Sequence, residues 1–492
     1  YPFFIRENPW LKPTSNQQRK MIPDILAARY ASTKISAIWS PEGKVRLERE
    51  FWIAVMKAQR NLGVDIPQPA IESYEQVLEQ IDLESIADRE SKLRHDVKSR
   101  IEEFCELAGH EQIHKGMTSR DLTDNVEQLQ ILRSLRLLRS KAVTVLHQLS
   151  LWSLRTKDIM LVARTHNVPA QPTTLGKRLA MFGEEILFAL KRLDHLIENY
   201  PLRGLQGAVG TRLDQLVLLN GDEKKVKQLG EQVLEHLDCR ASFNAVGQIY
   251  PRSLDVETVR ALIAISSGIS NFARTLRLMA GQGLAGEGFQ QGQVGSSAMP
   301  HKMNARTSER INGFHQILNG FGTMLSGLSG DQWNEGDVSC SVVRRVALPG
   351  AFFAADGQLE AVLTVLAEMG FYEAAIAQEL KQYLPFLAST SLLMEAVRKG
   401  GGRESVHEAI KEHAVVVAEA LRNGEISEND LAQRLADDER VPLDFNEISA
   451  VLNNPRRFAA SAPEQVEIFA EEVVKWTERF PEAKNLVPEA LL

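Results

Sequence analysis

Long apolar stripes at helical spacing constrain this chain more than any other feature. Between Leu129 and Leu154, apolar residues recur at Leu132, Leu135, Ala142, Leu146 and Leu149, three or four positions apart or in multiples of that step. A second stripe runs through Leu175, Leu179, Phe182, Ile186, Leu190, Leu193 and Ile197, and a third through Val256, Val259, Ile263, Phe272, Leu276 and Met279. Two more helical segments follow at about 310–328 and 344–369. Segments of roughly 25–30 residues with this period predict an all-α chain built on a bundle of long rods. Alternating strand patterns with hairpin turns are scarce, so any sheet is expected to be minor. Several stripes are wide and rich in Leu, Ile and Val. Helices apolar on more than one face bury against further helices, here from other subunits, which predicts a homo-oligomer over a large monomeric bundle.

At 492 residues the chain is long enough for roughly three domains. Breaks in the pattern divide it into residues 1–20, a tag or N-terminal extension ahead of Met21, then 21–118, an N-terminal helical domain. The long-helix bundle occupies 119–374. A smaller helical domain, 375–492, includes the break at Gly400-Gly401-Gly402. The net charge of −7, with no basic block, argues against a nucleic-acid partner. It leaves room for an anionic ligand, because a pocket can be positive inside an acidic protein. No apolar run approaches the roughly 20 residues that span a bilayer, so no membrane partner is expected. Cys105, Cys239 and Cys340 lie far apart, match no metal spacing and suit reduced thiols in the cytoplasm.

The chemistry concentrates in Gly295-Ser296-Ser297-Ala298-Met299-Pro300-His301-Lys302-Met303-Asn304. The run from Gly281 to Gly295 is rich in glycine, so this cluster of hydroxyl, imidazole, ammonium and amide groups rides on a segment that bends easily. A lid carrying a proton acceptor and a cation suits a carbanion-forming enzyme, which must admit a polyanion and then exclude water. Thr118-Ser119-Arg120-Asp121 has the form of a helix-capping box, and a helix N-terminus also favours a carboxylate. Arg164-Thr165-His166 precedes Pro169 and Pro172 in what reads as a helix-to-helix connection. An imidazole there can protonate a leaving nitrogen. His95 and His114 stand out for their polar neighbours. There is no nucleotide-binding glycine fingerprint, and neither a metal nor a cofactor is expected.

Together these pieces resemble the fumarase/aspartase superfamily of lyases. The loop, Thr118–Asp121 and Arg164–His166 carry the superfamily likeness, which extends from about Arg29 nearly to the C-terminus. Arg29-Tyr30, Arg94-His95-Asp96-Val97, Gly247–Arg252 and Trp333–Asp337 through Arg345 narrow it to the branch acting on succinylated purine nucleotides. The resemblance implies an all-helical, three-domain subunit in a homotetramer whose active sites each draw on three subunits. It implies cleavage of adenylosuccinate to AMP and fumarate, and the same elimination on a succinyl-carboxamide ribotide. By the same resemblance Ser296 is the base, with Ser297 beside it, and His166 the acid. Lys302, Asn304, Thr118 and Ser119 would hold the succinyl carboxylates, with Thr165 also binding substrate. Gln248 and His95, supported by Asp96, would orient the substrate, with His114 and Arg252 toward its phosphate side. Arg29, Tyr30, Ser341 and Arg345 match phosphate-binding positions, and Glu309 a carboxylate that orients His166 or its neighbours. Gly336 departs from the pattern, since the family often has Arg there; Arg252 or Arg344 could replace it. The alternatives are another superfamily lyase, a carboxymuconate-type cycloisomerase, or a non-catalytic helical scaffold.

Overall fold

A computed structural model describes residues 23–288, 299 and 302–489. The rods predicted from the stripes form. After α1 (Ile25–Arg29), α2 (Thr33–Trp39), α3 (Pro41–Asn61) and α4 (Asp96–Ala108) comes α5, Ser119–Arg155, whose 37 residues give a length of about 55 Å. The bundle continues with α6 (Leu175–Glu198), α7 (Ser253–Gly281), α8 (Arg306–Ser326) and α9 (Cys340–Glu368). Packing of α5 on α6, α6 on α7, α7 on α8 and α8 on α9 closes the core, with α9 also against α5. Leu135, Leu146, Leu190, Val259, Ile269, Leu318 and Phe352 are fully buried or nearly so in it. By length and composition α9 could cross a membrane, but most of it is buried in this bundle, where an all-round apolar helix belongs.

Strands are few, as the sequence predicts: each sheet among the described residues has two strands. One of them overturns the reading of residues 160–174 as a plain connection. β1 (Met160–Thr165) and β2 (Val168–Thr174) form an antiparallel hairpin. His166 and Asn167 make its two-residue turn, both with positive φ (53° and 63°), the geometry that matches strand twist. Val162 packs with Leu380 and Leu384 of the helix Glu373–Leu387, and Arg164 pairs with Glu379, anchoring the hairpin to the start of the C-terminal region.

That region has its own core, in which Leu392, Val406, Ile410, Val417, Leu431 and Ile448 meet. The helix α10, Ala462–Arg479, leaves it and packs on α5 and α6, placing Phe469 and Val473 in the main core.

Candidate active site

The start of α5 is fixed by one buried carboxylate. Asp121 accepts from the Thr118 backbone N–H at 2.9 Å and, through its other oxygen, from the backbone N–H groups of Gln206 (2.8 Å) and Gly207 (3.0 Å). It also pairs with Arg203 at 2.5 Å, both side chains being fully buried. Arg203 donates onward to the carbonyls of Gly207 (2.7 Å) and Gly247 (3.1 Å). This ion pair therefore ties Thr118 and Ser119, at the helix mouth, to the segment carrying Gln248. Gly247 is required there, because a Cβ would fall 2.3 Å from the Glu335 carbonyl oxygen. The Gln248 N–H donates to that same oxygen at 2.7 Å, so the 248 and 335 segments lie against each other.

His114 and His95 border this group. The Trp52 indole N–H donates to His114 Nδ1 at 3.1 Å. Indole has no acceptor, so Nδ1 carries a lone pair and the neutral ring holds its proton on Nε2. Burial pushes the pKa of His114 down to about 4, against the opposing pull of Asp121, and the ring is a neutral donor at physiological pH. His95 caps α4, accepting the Lys98 N–H at 3.3 Å, and is about half exposed. Desolvation works against ionisation of Asp96, yet Arg100 at 3.1 Å and the Val97 N–H hold its carboxyl below the usual range. Arg100 also meets the buried Glu48 at 2.6 Å, whose carboxyl desolvation pushes up to about 7.

Arg252 and Arg344 face inward. Arg344 binds Asp255 at 2.8 Å, Glu127 at 2.5 Å and the Tyr250 hydroxyl at 2.5 Å. Arg252 pairs with Asp124 at 3.1 Å and lies 4.3 Å above the Tyr250 ring. Guanidinium groups this deep hold carboxylates because an unpaired buried charge is strongly destabilising. In the subunit both brace internal carboxylates, while the Nε and Nη1 groups of Arg252 have no hydrogen-bond partner among the described residues. Arg345, next along, is exposed and has no hydrogen bond or ion pair among the described residues. Ser341 lies one turn earlier on the same face of α9, its hydroxyl accepting from Arg120 at 3.1 Å.

The remaining candidates sit elsewhere. Ser296 and Ser297 lie outside the described residues. Lys302, Asn304 and Glu309 line an open cavity of about 580 Å³ with Arg274, Arg277 and Gly281, at the C-terminal end of α7. Glu309 faces Arg277 at 3.9 Å. Arg252 immediately precedes α7, so its full length, roughly 40 Å by helical rise, separates this cavity from the Gln248 group. Thr165 and His166 project from the exposed hairpin tip, beyond the opposite end of α5 from Thr118. Arg29 is exposed and Tyr30 packs edge-on against Phe314 at 5.2 Å. Tyr30 also abuts Gly357, where a Cβ would fall 2.9 Å from its own. Gly357 lies 357 − 345 = 12 residues beyond Arg345 on α9, about 18 Å by helical rise.

Glu287 is a residue the sequence reading missed. It is buried and accepts from the backbone N–H of Thr307 (2.8 Å) and Ser308 (2.9 Å) and from the Ser308 hydroxyl (3.1 Å). It thereby joins the two flanks of residues 289–301 at the start of α8. Nothing in its glycine-rich neighbourhood signals this, because its partners lie about twenty positions away.

Residues 30–318 match the family described as Lyase, and residues 385–469 match Adenylosuccinate lyase C-terminus. The chain is 32% identical to adenylosuccinate lyase of Saccharomyces cerevisiae, covering 91% of this chain and 94% of that protein. It is 30% identical to adenylosuccinate lyase of Methanothermobacter thermautotrophicus, covering 91% and 98%. Among solved structures, 3-carboxy-cis,cis-muconate lactonizing enzyme from Pseudomonas putida superimposes with a TM-score of 0.78 at 20% identity, covering 92% of this chain and 100% of that one. Fumarate lyase from Mesorhizobium sp. BNC1 gives 0.74 at 19%, covering 90% and 98%. At these identities the structural likeness speaks for the fold.

Proposed function

The chain belongs to the lyase family that contains the adenylosuccinate lyases, and from that membership we propose its reaction: elimination of fumarate from adenylosuccinate to leave AMP. The same elimination on the succinyl-carboxamide ribotide completes the activity. Identity of 32% and 30%, over 91% of this chain, with adenylosuccinate lyases from a yeast and an archaeon is the observation that carries this reading.

Removing a proton beside a carboxylate spreads charge into that carboxylate, so cations and N–H donors must already face it. Ser296 takes the proton, with Lys302 stabilising the alkoxide that makes a hydroxyl a competent base. His166 delivers a proton to the departing amino nitrogen. Lys302, Asn304, Thr118, Ser119 and Thr165 hold the succinyl carboxylates, while Gln248, His95 and the neutral Nε2–H of His114 orient the nucleotide. Arg29, Tyr30, Ser341 and Arg345 receive its phosphate.

These groups occupy separate places on one subunit, and the roughly 40 Å along α7 between Lys302's cavity and Gln248 exceeds any side-chain reach. That spacing supports a homotetramer in which neighbouring subunits complete each site. Exposed apolar side chains on the bundle helices, Phe188 on α6, Leu278 on α7 and Met324 on α8 among them, offer surface for that assembly. Free thiols at Cys105, Cys239 and Cys340 suit a reducing, cytoplasmic setting. The division at about residues 118 and 374 accommodates this plan, with the long rods as its centre.

Incubation of the purified protein with adenylosuccinate, followed by absorbance, tests the reaction: AMP and fumarate should appear in equal amounts, and turnover of a carboxymuconate instead would replace this reading. Within it, Arg345→Ala should raise KM by roughly ten- to a hundredfold with kcat changed little, since a charge-assisted phosphate contact lies far from the breaking bond. Steady-state kinetics would show an unchanged KM if Arg345 lay outside the phosphate pocket.

A further inference from the structure

We propose that Arg120 binds the substrate's 5′-phosphate, supplying from α5 the guanidinium that Gly336 cannot provide. The inference rests on the adenylosuccinate reading above. Two observations carry it. Gly336 has a φ of 139°, a region L side chains rarely adopt, and a Cβ there would fall 3.1 Å from Ile249 Cγ1 and 3.2 Å from Gln248 Cβ. The loop is pressed onto the Gln248 segment, and any side chain at that point would be strained and crowded.

Arg120 reaches the same neighbourhood from the other side. Its Nη2 donates to the Ser341 hydroxyl at 3.1 Å across 221 residues of sequence, and its Nη1 pairs with Asp124 at 2.9 Å. Asp124 thus fixes one edge of the planar fork and leaves the other aimed at Ser341, the geometry suited to a phosphate oxygen. The same Asp124 carboxylate also serves Arg252, so Arg120 shares its buried anion with a second cation. Arg345 adds an exposed cation one turn from Ser341, beside the largely buried Arg120. Asp337 is an opposing charge that acts on Arg120. It is exposed and occupied by the Ser339 hydroxyl at 2.7 Å and backbone N–H at 2.9 Å. Ser341, Arg120 and Arg345 therefore present one hydroxyl and two guanidinium groups to a dianion, at the N-terminal end of α5.

The test compares two substrates, adenylosuccinate and the same succinylated nucleoside without its phosphate, using Arg120→Gln and Arg120→Lys. Arg120→Gln should raise KM for the nucleotide roughly ten- to a hundredfold with kcat little changed, and leave kcat/KM for the nucleoside at the wild-type value. Arg120→Lys, which keeps the charge but loses the fork, should fall between; it decides the question if the Gln variant melts early. Equal losses on both substrates would show that Arg120 only positions α5, and overturn the proposal, as would an unchanged KM. If wild-type protein cleaves neither substrate, the reaction assignment itself fails; AMP titration against adenosine then still reads Arg120, with a selective loss of AMP affinity in the Gln variant supporting the proposal and equal affinity overturning it.

Discussion

Replacing Ser296 with Ala is expected to lower turnover of adenylosuccinate by roughly 10²–10⁴-fold while leaving AMP binding close to wild type. The hydroxyl's part is to accept a proton in the transition state, while the proposed nucleotide contacts are made by other residues. His166→Gln should fall by a similar factor, because the leaving nitrogen then departs without a proton. The hairpin places His166 at an exposed tip that follows the C-terminal end of α5, whereas Thr118 and Ser119 stand at its N-terminal end. If Ser296 and His166 of one site come from different subunits, mixing the two inactive variants and letting subunits exchange should create some sites with both residues intact. Activity should then return. A mixture that stays inactive after verified exchange would place both residues on one subunit.

The second large effect concerns stability. Asp121→Ala should destabilise the protein by about 3–5 kcal/mol, the loss typical of leaving one member of a buried ion pair alone. Arg203 would remain buried with its charge opposed only by carbonyl dipoles, and the N–H groups of Thr118, Gln206 and Gly207 would lose their acceptor. Denaturant unfolding should show a lowered midpoint, and the residual enzyme a raised KM, since Thr118 and Gln248 are tethered through this pair. An unfolding free energy within about 0.5 kcal/mol of wild type, the range of ordinary surface changes, would contradict the role given to Asp121.

The rods were legible because a period of 3.6 repeats many times within each: the stripe from Leu175 to Ile197 falls inside α6, Leu175–Glu198. The β1–β2 hairpin was not, because six- and seven-residue strands carry few repeats and Pro169 and Pro172 suggested a loose connection. Its turn signal, Asn167 beside His166, is weaker than an Asn-Gly pair. The Thr118–Asp121 box was visible as a cap. Its fastening to Arg203, 82 residues away, depends on tertiary contact that no local pattern reports. The inward turn of Arg252 escaped for the same reason, since its partner Asp124 is 128 residues distant. Motif residues could be named one by one, but their dispersal over the subunit emerged only from the helix lengths between them.

The reverse reaction tests the central chemistry most directly. AMP and fumarate incubated with the protein in D2O should give adenylosuccinate carrying one deuterium, on the methylene carbon beside the carbon bonded to nitrogen, because that is where the abstracted proton came from. Failure to form the nucleotide, or nucleotide formed without deuterium at that carbon, would contradict proton abstraction from the succinyl group.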